Sequence, residues 1–313
     1  MKKIINILLT MNMLLLLFTG CSQEEKKEED DINVVVTIYP LYDWTKNLSK
    51  DIDNINIEQL VSLNTDMHSY QPTAKDIVKL STCDVLIFVG GESDEWVEDA
   101  LKQVTNKDMV VIDAMDVLED RLFIEETKEG MEKEEEEEDE YDEHIWLSLK
   151  NAEIVCKEIS DTLIKVNASN SEKYKNNLDN YLAELNNLDK EYKSYIDQTT
   201  TKTLLVADRF PFRYLCEDYG LDYFAAFKGC SAETEASFET IKFLSAKVDE
   251  LGLNSILCIE GSNNKIAKTV VENTKDKNQK ILVLNSIQSQ IGENDTYLAI
   301  MEYNLNILKE ALN

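Results

Sequence analysis

An uninterrupted helical pattern over residues 171–198 constrains the fold of this 313-residue chain more than any other feature. The segment contains no Gly or Pro, and its apolar and aromatic side chains recur at helical spacing, as at Tyr174, Tyr181, Leu185 and Tyr192. A helix of this length spans roughly 40 Å, which is long enough to run along two lobes. Since the chain also exceeds the usual size of a single core, we expect one spacer helix joining two lobes.

Short β-branched runs alternate with longer stretches of helical period on both sides of this segment. Such alternation is typical of an α/β fold, in which each lobe has a mostly parallel sheet flanked by helices. The predicted strands are 34–38, 55–60, 85–89, 109–112, 203–207, 222–226, 255–259 and 281–284. The predicted helices of the first half are 41–48, 73–80 and 96–104.

The N-terminus is typical of a secretory signal. Lys2 and Lys3 precede an apolar run over residues 4–18, which is shorter than the ~20 residues of a membrane-spanning helix. The run ends in Leu-Phe-Thr-Gly-Cys, which resembles a bacterial lipobox, so residues 1–20 are a predicted signal peptide and Cys21 is a predicted lipidation site. A plain signal peptide is the alternative. Residues 21–32 are mostly charged and form a predicted tether to the membrane.

The charge of the mature chain limits its partners. Removing Lys2 and Lys3 with the signal leaves 30 basic and 61 acidic residues. Phosphate would be repelled by this field, so nucleic acid is not an expected partner. A cation is the natural partner of such a chain.

The chain has two histidines, and both lie in polar segments typical of turns beside a cleft. They are His68, in Asp-Met-His-Ser-Tyr-Gln-Pro, and His144, in Asp-Glu-His-Ile-Trp. Neutral imidazole is the commonest metal ligand in proteins, so a divalent-metal site is one interpretation. Two unrelated surface histidines are the other.

An acidic tract immediately precedes the second histidine. Residues 132–143 hold ten acidic residues and one lysine. We expect a disordered, exposed loop over this tract, acting either as a solvated charge run or as a low-affinity collector of cations for His144.

The cysteines do not have the spacing of a zinc knuckle. Cys21 aside, five remain, and none of them forms a Cys-x-x-Cys pair. Cys83, Cys156 and Cys258 lie in apolar stretches and are predicted core residues, while a bridge between Cys216 and Cys230 stays open.

Four motifs in order resemble those of the zinc and manganese solute-binding lipoproteins of bacterial ABC importers. They are Thr-Ile-Tyr-Pro-Leu-Tyr-Asp from residue 37, His68-x-Tyr70-x-Pro72 with Asp76, His-Ile-Trp-Leu-Ser-Leu-Lys-Asn-Ala from residue 144, and Phe212-x-Tyr214-Leu215 with Tyr219-Gly220. The resemblance covers nearly the whole mature chain. It implies two α/β lobes joined by one long helix, with the metal between them at the carboxyl ends of strands.

The resemblance carries two of the four ligand positions onto this chain without adjustment, at His68 and His144. The third position, a His or Glu in the family, falls on Arg209, which has no lone pair to offer, and the fourth falls on Asn285. Two histidines alone would hold zinc weakly, so carboxylates are expected to complete the site.

Two carboxylates are the expected additional ligands, Asp208 and Glu260, because each lies at or near the end of a predicted strand. The alternatives are a salt bridge with Arg209 or a cap for Asp208, and orientation of a histidine for Glu260. Glu233 and Glu235 are further acids on the expected cleft side.

The predicted organisation is therefore a signal peptide at 1–20, a lipidated tether at 21–32, an N-terminal lobe at 33–168 with an acidic loop at 130–143, a linker helix at 169–199 and a C-terminal lobe at 200–313. The predicted function is that of a monomeric, membrane-anchored extracytoplasmic receptor that binds Zn²⁺, or else Mn²⁺, and delivers it to an ABC permease. It is not expected to be an enzyme. A surface adhesin without a full metal site and a metallo-hydrolase are the alternatives, and the second lacks a His-Glu-x-x-His or Gly-x-Ser-x-Gly motif.

Overall fold

The structure is a computed structural model that describes residues 31–62, 65–133, 140–231, 235–288 and 295–313. The predicted signal peptide and the predicted lipidation site at Cys21 lie outside the described residues. In the part of the chain that is described, no helix combines the length and the apolar character needed to cross a bilayer.

The eight predicted strands all form, and they make two parallel sheets of four strands each. The first sheet has the order β2-β1-β3-β4 and the second the order β6-β5-β7-β8, so both halves repeat one plan. The strands are β1 Ile32–Val36, β2 Ile55–Gln59, β3 Val85–Phe88, β4 Val110–Asp113, β5 Thr203–Phe210, β6 Asp222–Lys228, β7 Ser255–Ile259 and β8 Lys280–Leu284. The α/β prediction with two lobes is confirmed.

Helices connect the strands and cover the sheets. They are α1 Tyr39–Leu48, α2 Ala74–Thr82, α3 Glu95–Leu101, α4 Ala114–Val117, α5 Leu149–Val166, α6 Ser171–Gln198, α7 Arg213–Tyr219, α8 Phe238–Leu251, α9 Lys265–Asn273 and α10 Tyr297–Ala311. The third predicted helix ends earlier than expected, at Leu101 instead of residue 104. Residues beyond it form a turn in which Asn106 donates a hydrogen bond to the Cys83 carbonyl.

The spacer helix α6 has the predicted bounds and 28 residues. Near its start, the Asn177 amide donates to the carbonyl of Leu48 at 3.0 Å, at the end of α1. Near its end, the Tyr195 hydroxyl donates to the carbonyl of Lys309 at 3.0 Å, in α10. The helix therefore bonds to elements of both halves, and its buried face is continuous with the main hydrophobic core.

Candidate metal centre

His68 lies in a single 3-10 turn, Met67–Ser69, that follows β2. The turn forms because the Asp66 carboxylate accepts the backbone N–H of His68 at 3.1 Å. The imidazole is largely buried, and its Nδ1 atom lies 2.9 Å from both Glu143 Oε1 and Ser93 Oγ. With Nδ1 donating to this pair, the lone pair of the ring is at Nε2.

His144 is fully buried immediately before α5 and its preceding 3-10 turn, Ile145–Leu147. Asp142 Oδ1 accepts both the backbone N–H of His144 at 2.8 Å and the ring N–H at Nδ1 at 2.9 Å. The Nε2 atom is buried and has no hydrogen-bond partner among the described residues. A buried, unsatisfied nitrogen is costly unless something binds it, and this arrangement leaves its lone pair free for a metal.

The two predicted histidines are brought together. Their ring centroids are 5.2 Å apart, at an interplanar angle of 51°. The Cys230 sulfur joins them, and one ligand atom from each of the three residues lies within 4.8 Å of the others. The Nε2 atom of His68 is 3.4 Å from the side-chain nitrogen of Gln288, which a metal would have to displace.

A ring of carboxylates surrounds this cluster and sets its charge. Glu143 accepts from Ser93 through both oxygens, and its pKa is lowered because contacts with His68, His144 and Ser93 outweigh the effect of burial. Burial alone would lower the pKa of His144, but Asp142, Glu143 and Glu125 raise it above its ordinary value. The centre is therefore negative and suited to a cation.

At two glycines the backbone lies close to the side chains of the cluster, which a larger residue would not allow. Gly91 has a φ of +76°, and a Cβ there would lie 2.9 Å from Glu143 Oε2. At Gly229 a Cβ would lie 3.0 Å from His144 Cε1. Both glycines leave room for the groups that hold or form the cluster.

Arg209 is not a metal ligand, but it connects the two halves of the chain. Its Nη2 atom lies 2.8 Å from Asp66 Oδ2, beside the His68 turn. Burial would raise the pKa of Asp66, but the guanidinium beside it holds that pKa below its ordinary value.

The two predicted carboxylate ligands, Asp208 and Glu260, make hydrogen bonds with residues outside the cluster. Asp208 accepts the backbone N–H of Arg209 through Oδ1, and its Oδ2 has no described partner. Glu260 accepts the backbone N–H and the hydroxyl of Ser286 at 2.8 and 2.5 Å. Burial raises the pKa of Glu260, although these bonds oppose the rise. Among the described residues, the cluster of ligand atoms consists of His68, His144 and Cys230, and it includes neither Asp208 nor Glu260.

The other expected positions also lie outside the cluster. Asn285 is buried, and its side chain accepts the backbone N–H of Ile287 at 2.8 Å. Glu235 is exposed and pairs with Lys265, while Glu233 lies outside the described residues.

The prediction of an exposed acidic loop is wrong at its C-terminal end. Asp142 and Glu143 are each only 1 % exposed, because each carboxylate holds a histidine ring and backbone N–H groups. Glu132, at the other end, accepts the backbone N–H of Ser237. Residues 134–139 of the tract lie outside the described residues.

The five described cysteines are all free thiols. Cys83, Cys156 and Cys258 are buried as predicted, and Cys216 and Cys230 are not bridged to each other. Sequence reasoning missed Cys230 as a member of the cluster. Its position could have indicated it, because Cys230 lies two residues after the end of β6 and the carboxyl ends of parallel strands lie together at one edge of a sheet.

The family profile described as "Zinc-uptake complex component A periplasmic" (ZnuA) matches residues 34–311. The chain belongs to the ZnuA family. It is 30% identical over 319 residues to the zinc-binding lipoprotein AdcA of Streptococcus pneumoniae, a match that covers 99% of this chain and 61% of AdcA. It therefore spans about three fifths of the length of that relative.

Two further comparisons agree with this membership. The ZnuA-family chain is 28% identical over 287 residues to the high-affinity zinc uptake system protein ZnuA of Bacillus subtilis, covering 90% of this chain and 88% of that one. The solved Zn(II)-bound ZnuA-like domain of S. pneumoniae AdcA superposes with a TM-score of 0.73 at 27% identity, covering 90% of this chain and 99% of the domain. The family resemblance read from the sequence motifs is confirmed.

Proposed function

We propose that this ZnuA-family chain is an extracytoplasmic receptor that binds Zn²⁺ at His68 and His144 and delivers it to an ABC permease. Mn²⁺ is the second cation to test. The metal is cargo, and no chemical step on a substrate is part of the proposal.

One observation carries the proposal: the Nε2 atom of His144 is buried and unpartnered among the described residues, while Asp142 fixes the proton at Nδ1. The same logic holds at His68, where Glu143 and Ser93 engage Nδ1. Carboxylates that orient imidazoles in this way recur behind metal-binding histidines.

Binding and release would follow from small movements of the two lobes. His68 follows β2 in the first half, and Arg209 and Gln288 approach its turn from the second half. The spacer helix α6 bonds to both halves, which favours a limited closure over a wide hinge motion.

The test is a metal titration of the purified, metal-stripped protein. Zn²⁺ and Mn²⁺ are added against a competing chromophoric chelator, for the native chain, for a His68→Ala/His144→Ala double variant and for a Glu235→Gln control that changes an exposed acid. We expect one tightly bound Zn²⁺ per chain in the native and control proteins and its loss in the double variant. Zn²⁺ uptake that disappears in moderate salt and is unchanged in the double variant would instead reflect binding to exposed surface acids, whose charges salt screens. That result would overturn the proposal.

We also propose that Cys21 anchors the protein to the membrane as a lipidated residue and that the receptor acts as a monomer. Fractionation of cells that express the native chain or a Cys21→Ala variant tests the anchor. The native chain is expected in the membrane fraction and the variant outside it. Light scattering of the purified protein tests the monomer.

A further inference from the structure

We propose that the Cys230 thiolate is the third protein ligand of the bound metal, which makes a two-histidine, one-cysteine centre. This inference rests on the proposed function, because it concerns the same ion. A zinc site normally takes three or four protein ligands, so two imidazoles need another donor. Cys230 Sγ is the atom that the structure groups with His68 and His144, with all three ligand atoms within 4.8 Å.

The placement of Cys230 depends on local backbone packing. Strand β6 ends at Lys228, and Gly229 follows, where an added Cβ would lie 3.0 Å from His144 Cε1. The backbone N–H of Cys230 donates to Glu125 Oε1 at 3.0 Å, which holds the turn in place. The sulfur thereby lies beside the fully buried His144 ring, whose Nε2 atom has no hydrogen-bond partner among the described residues.

The nearby carboxylates are already occupied in orienting the other groups. Asp142 holds the ring of His144, and Glu125 holds the backbone of Cys230. Glu143 accepts from Ser93 and lies 2.9 Å from His68 Nδ1. Arg209 cannot donate a lone pair and is paired with Asp66. Cys230 Sγ makes a long contact instead, a 3.6 Å approach to Glu143 Oε1, and is free to bind a metal.

Metal binding at Cys230 is an exchange without redox change. The S–H bond breaks, a sulfur–metal bond forms, and the proton leaves to water. A divalent cation stabilises the thiolate that it binds, so thiolate formation and metal binding are coupled.

The geometry requires only a small contraction. Zinc bonds of about 2.1 Å to nitrogen and 2.3 Å to sulfur put tetrahedral ligand atoms about 3.5 Å apart. The present limit of 4.8 Å between ligand atoms is therefore about 1 Å too wide. Since Cys230 belongs to the second half and both histidines to the first, lobe closure supplies this movement.

A thiolate also biases the choice of metal. Soft sulfur donors favour zinc, whereas manganese prefers oxygen donors. With Cys230 as a ligand, this chain should prefer Zn²⁺ over Mn²⁺, and part of that preference should depend on the Cys230 side chain.

Cobalt substitution tests the ligand directly. The metal-stripped full chain is loaded with one equivalent of Co²⁺, and the near-ultraviolet thiolate-to-cobalt charge-transfer band is recorded. We expect the band in the native protein and in a Cys216→Ser control, which changes a buried cysteine of the same half. We expect no band in Cys230→Ser, a zinc affinity at least tenfold weaker, and a smaller ratio of zinc to manganese affinity.

A second measurement avoids dependence on the folding of the variant. Native protein is alkylated with N-ethylmaleimide with and without Zn²⁺, and the labelled cysteines are identified by mass spectrometry. Zinc should protect Cys230, which is the partly exposed cysteine among the five described, and leave the labelling of Cys216 unchanged.

The outcomes separate this inference from the proposed function. If the native chain binds one histidine-dependent Zn²⁺ but shows no charge-transfer band and no protection of Cys230, the cysteine assignment is overturned and the receptor proposal stands. If the native chain binds neither Zn²⁺ nor Co²⁺ stoichiometrically, both are overturned.

Discussion

Arg209 and His68 are linked through a single carboxylate. Asp66 Oδ2 lies 2.8 Å from Arg209 Nη2, and Asp66 Oδ1 accepts the backbone N–H of His68 at 3.1 Å. Arg209 thus connects the second half of the chain to the turn that carries His68. Through Asp66 it helps to hold the backbone of His68 in position.

Replacing Arg209 should loosen that turn more than it destabilises the fold. We expect Arg209→Ala to lower the free energy of unfolding by no more than about 1 kcal/mol, because the ion pair is partly exposed. Zinc affinity should fall several-fold, and hydrogen exchange should accelerate at residues 66–70. Lys280→Ala, which breaks the exposed pair with Glu310 inside the second half, is the control. Equal effects of the two variants on zinc affinity would contradict this role.

Gly91 is predicted to be essential for the orientation of His68. Gly91→Ala adds a Cβ 2.9 Å from Glu143 Oε2 at a φ of +76°, so it displaces the carboxylate that holds the His68 ring. Gly220→Ala is a control for the positive φ alone, with a φ of +67° and no atom within 4 Å of the added Cβ. Gly220→Ala should lose about 1 kcal/mol to backbone strain, because Gly220 has left-handed helical angles (φ +67°, ψ +40°). Gly91→Ala should lose more, because its φ of +76° and ψ of −171° lie in a region almost confined to glycine. Only Gly91→Ala should also weaken zinc binding, by tenfold or more in a chelator competition, and parallel affinities would refute the contact.

Asp142 should act as a positioning residue for His144. Asp142→Asn replaces an acceptor of the Nδ1 proton by an amide that can also donate, which weakens control over ring orientation and tautomer. We expect zinc affinity to fall about 10- to 100-fold, in line with other carboxylates that support metal-bound histidines. Asp189→Asn, at the acid that accepts from Tyr219, is the control. The NMR shifts of the His144 ring nitrogens should report a changed tautomer, and unchanged shifts with unchanged affinity would exclude the role.

The fold was predictable because its signals are local. The β-branched runs predict all eight strands, and a segment without Gly or Pro predicts α6 at its observed bounds. His68 and His144 were predictable as a pair because they are the only two histidines of the chain.

The remaining groups of the cluster depend on contacts distant in sequence. Glu143 is one of ten acids in a solvated-looking tract, and its burial depends on His68 and on Ser93, which is 50 residues away. Cys230 has no cysteine-motif spacing, and its proximity to His144 follows from Gly229 packing on the ring. Asp208 follows the predicted strand end at residue 207, but β5 continues to Phe210, so Asp208 lies within the strand.

The ionisation of Asp94 is expected to make the stability of the protein depend on pH. It is 4 % exposed and accepts from Val89 N–H at 2.8 Å and from Thr37 Oγ1 at 3.2 Å. Burial, with a smaller contribution from Glu143, raises its pKa from 3.8 to about 7. The folded state therefore binds this proton more tightly than the unfolded state, so stability from Asp94 is full below the unfolded pKa and falls as pH rises to about 7.

Asp94→Asn should remove that dependence. One amide oxygen can keep both hydrogen bonds, since Asp94 Oδ2 accepts both of them, and the amide never ionises. Each pKa unit corresponds to about 1.4 kcal/mol, so the variant should gain a few kcal/mol relative to the native chain between about pH 4 and pH 7. Urea unfolding of both proteins across this range measures the difference, and the comparison cancels the titration of His144. The expected loss of stability arises from ionising one buried carboxyl. If the difference in unfolding free energy between the two proteins stays constant over the range, Asp94 has an ordinary pKa in the folded protein.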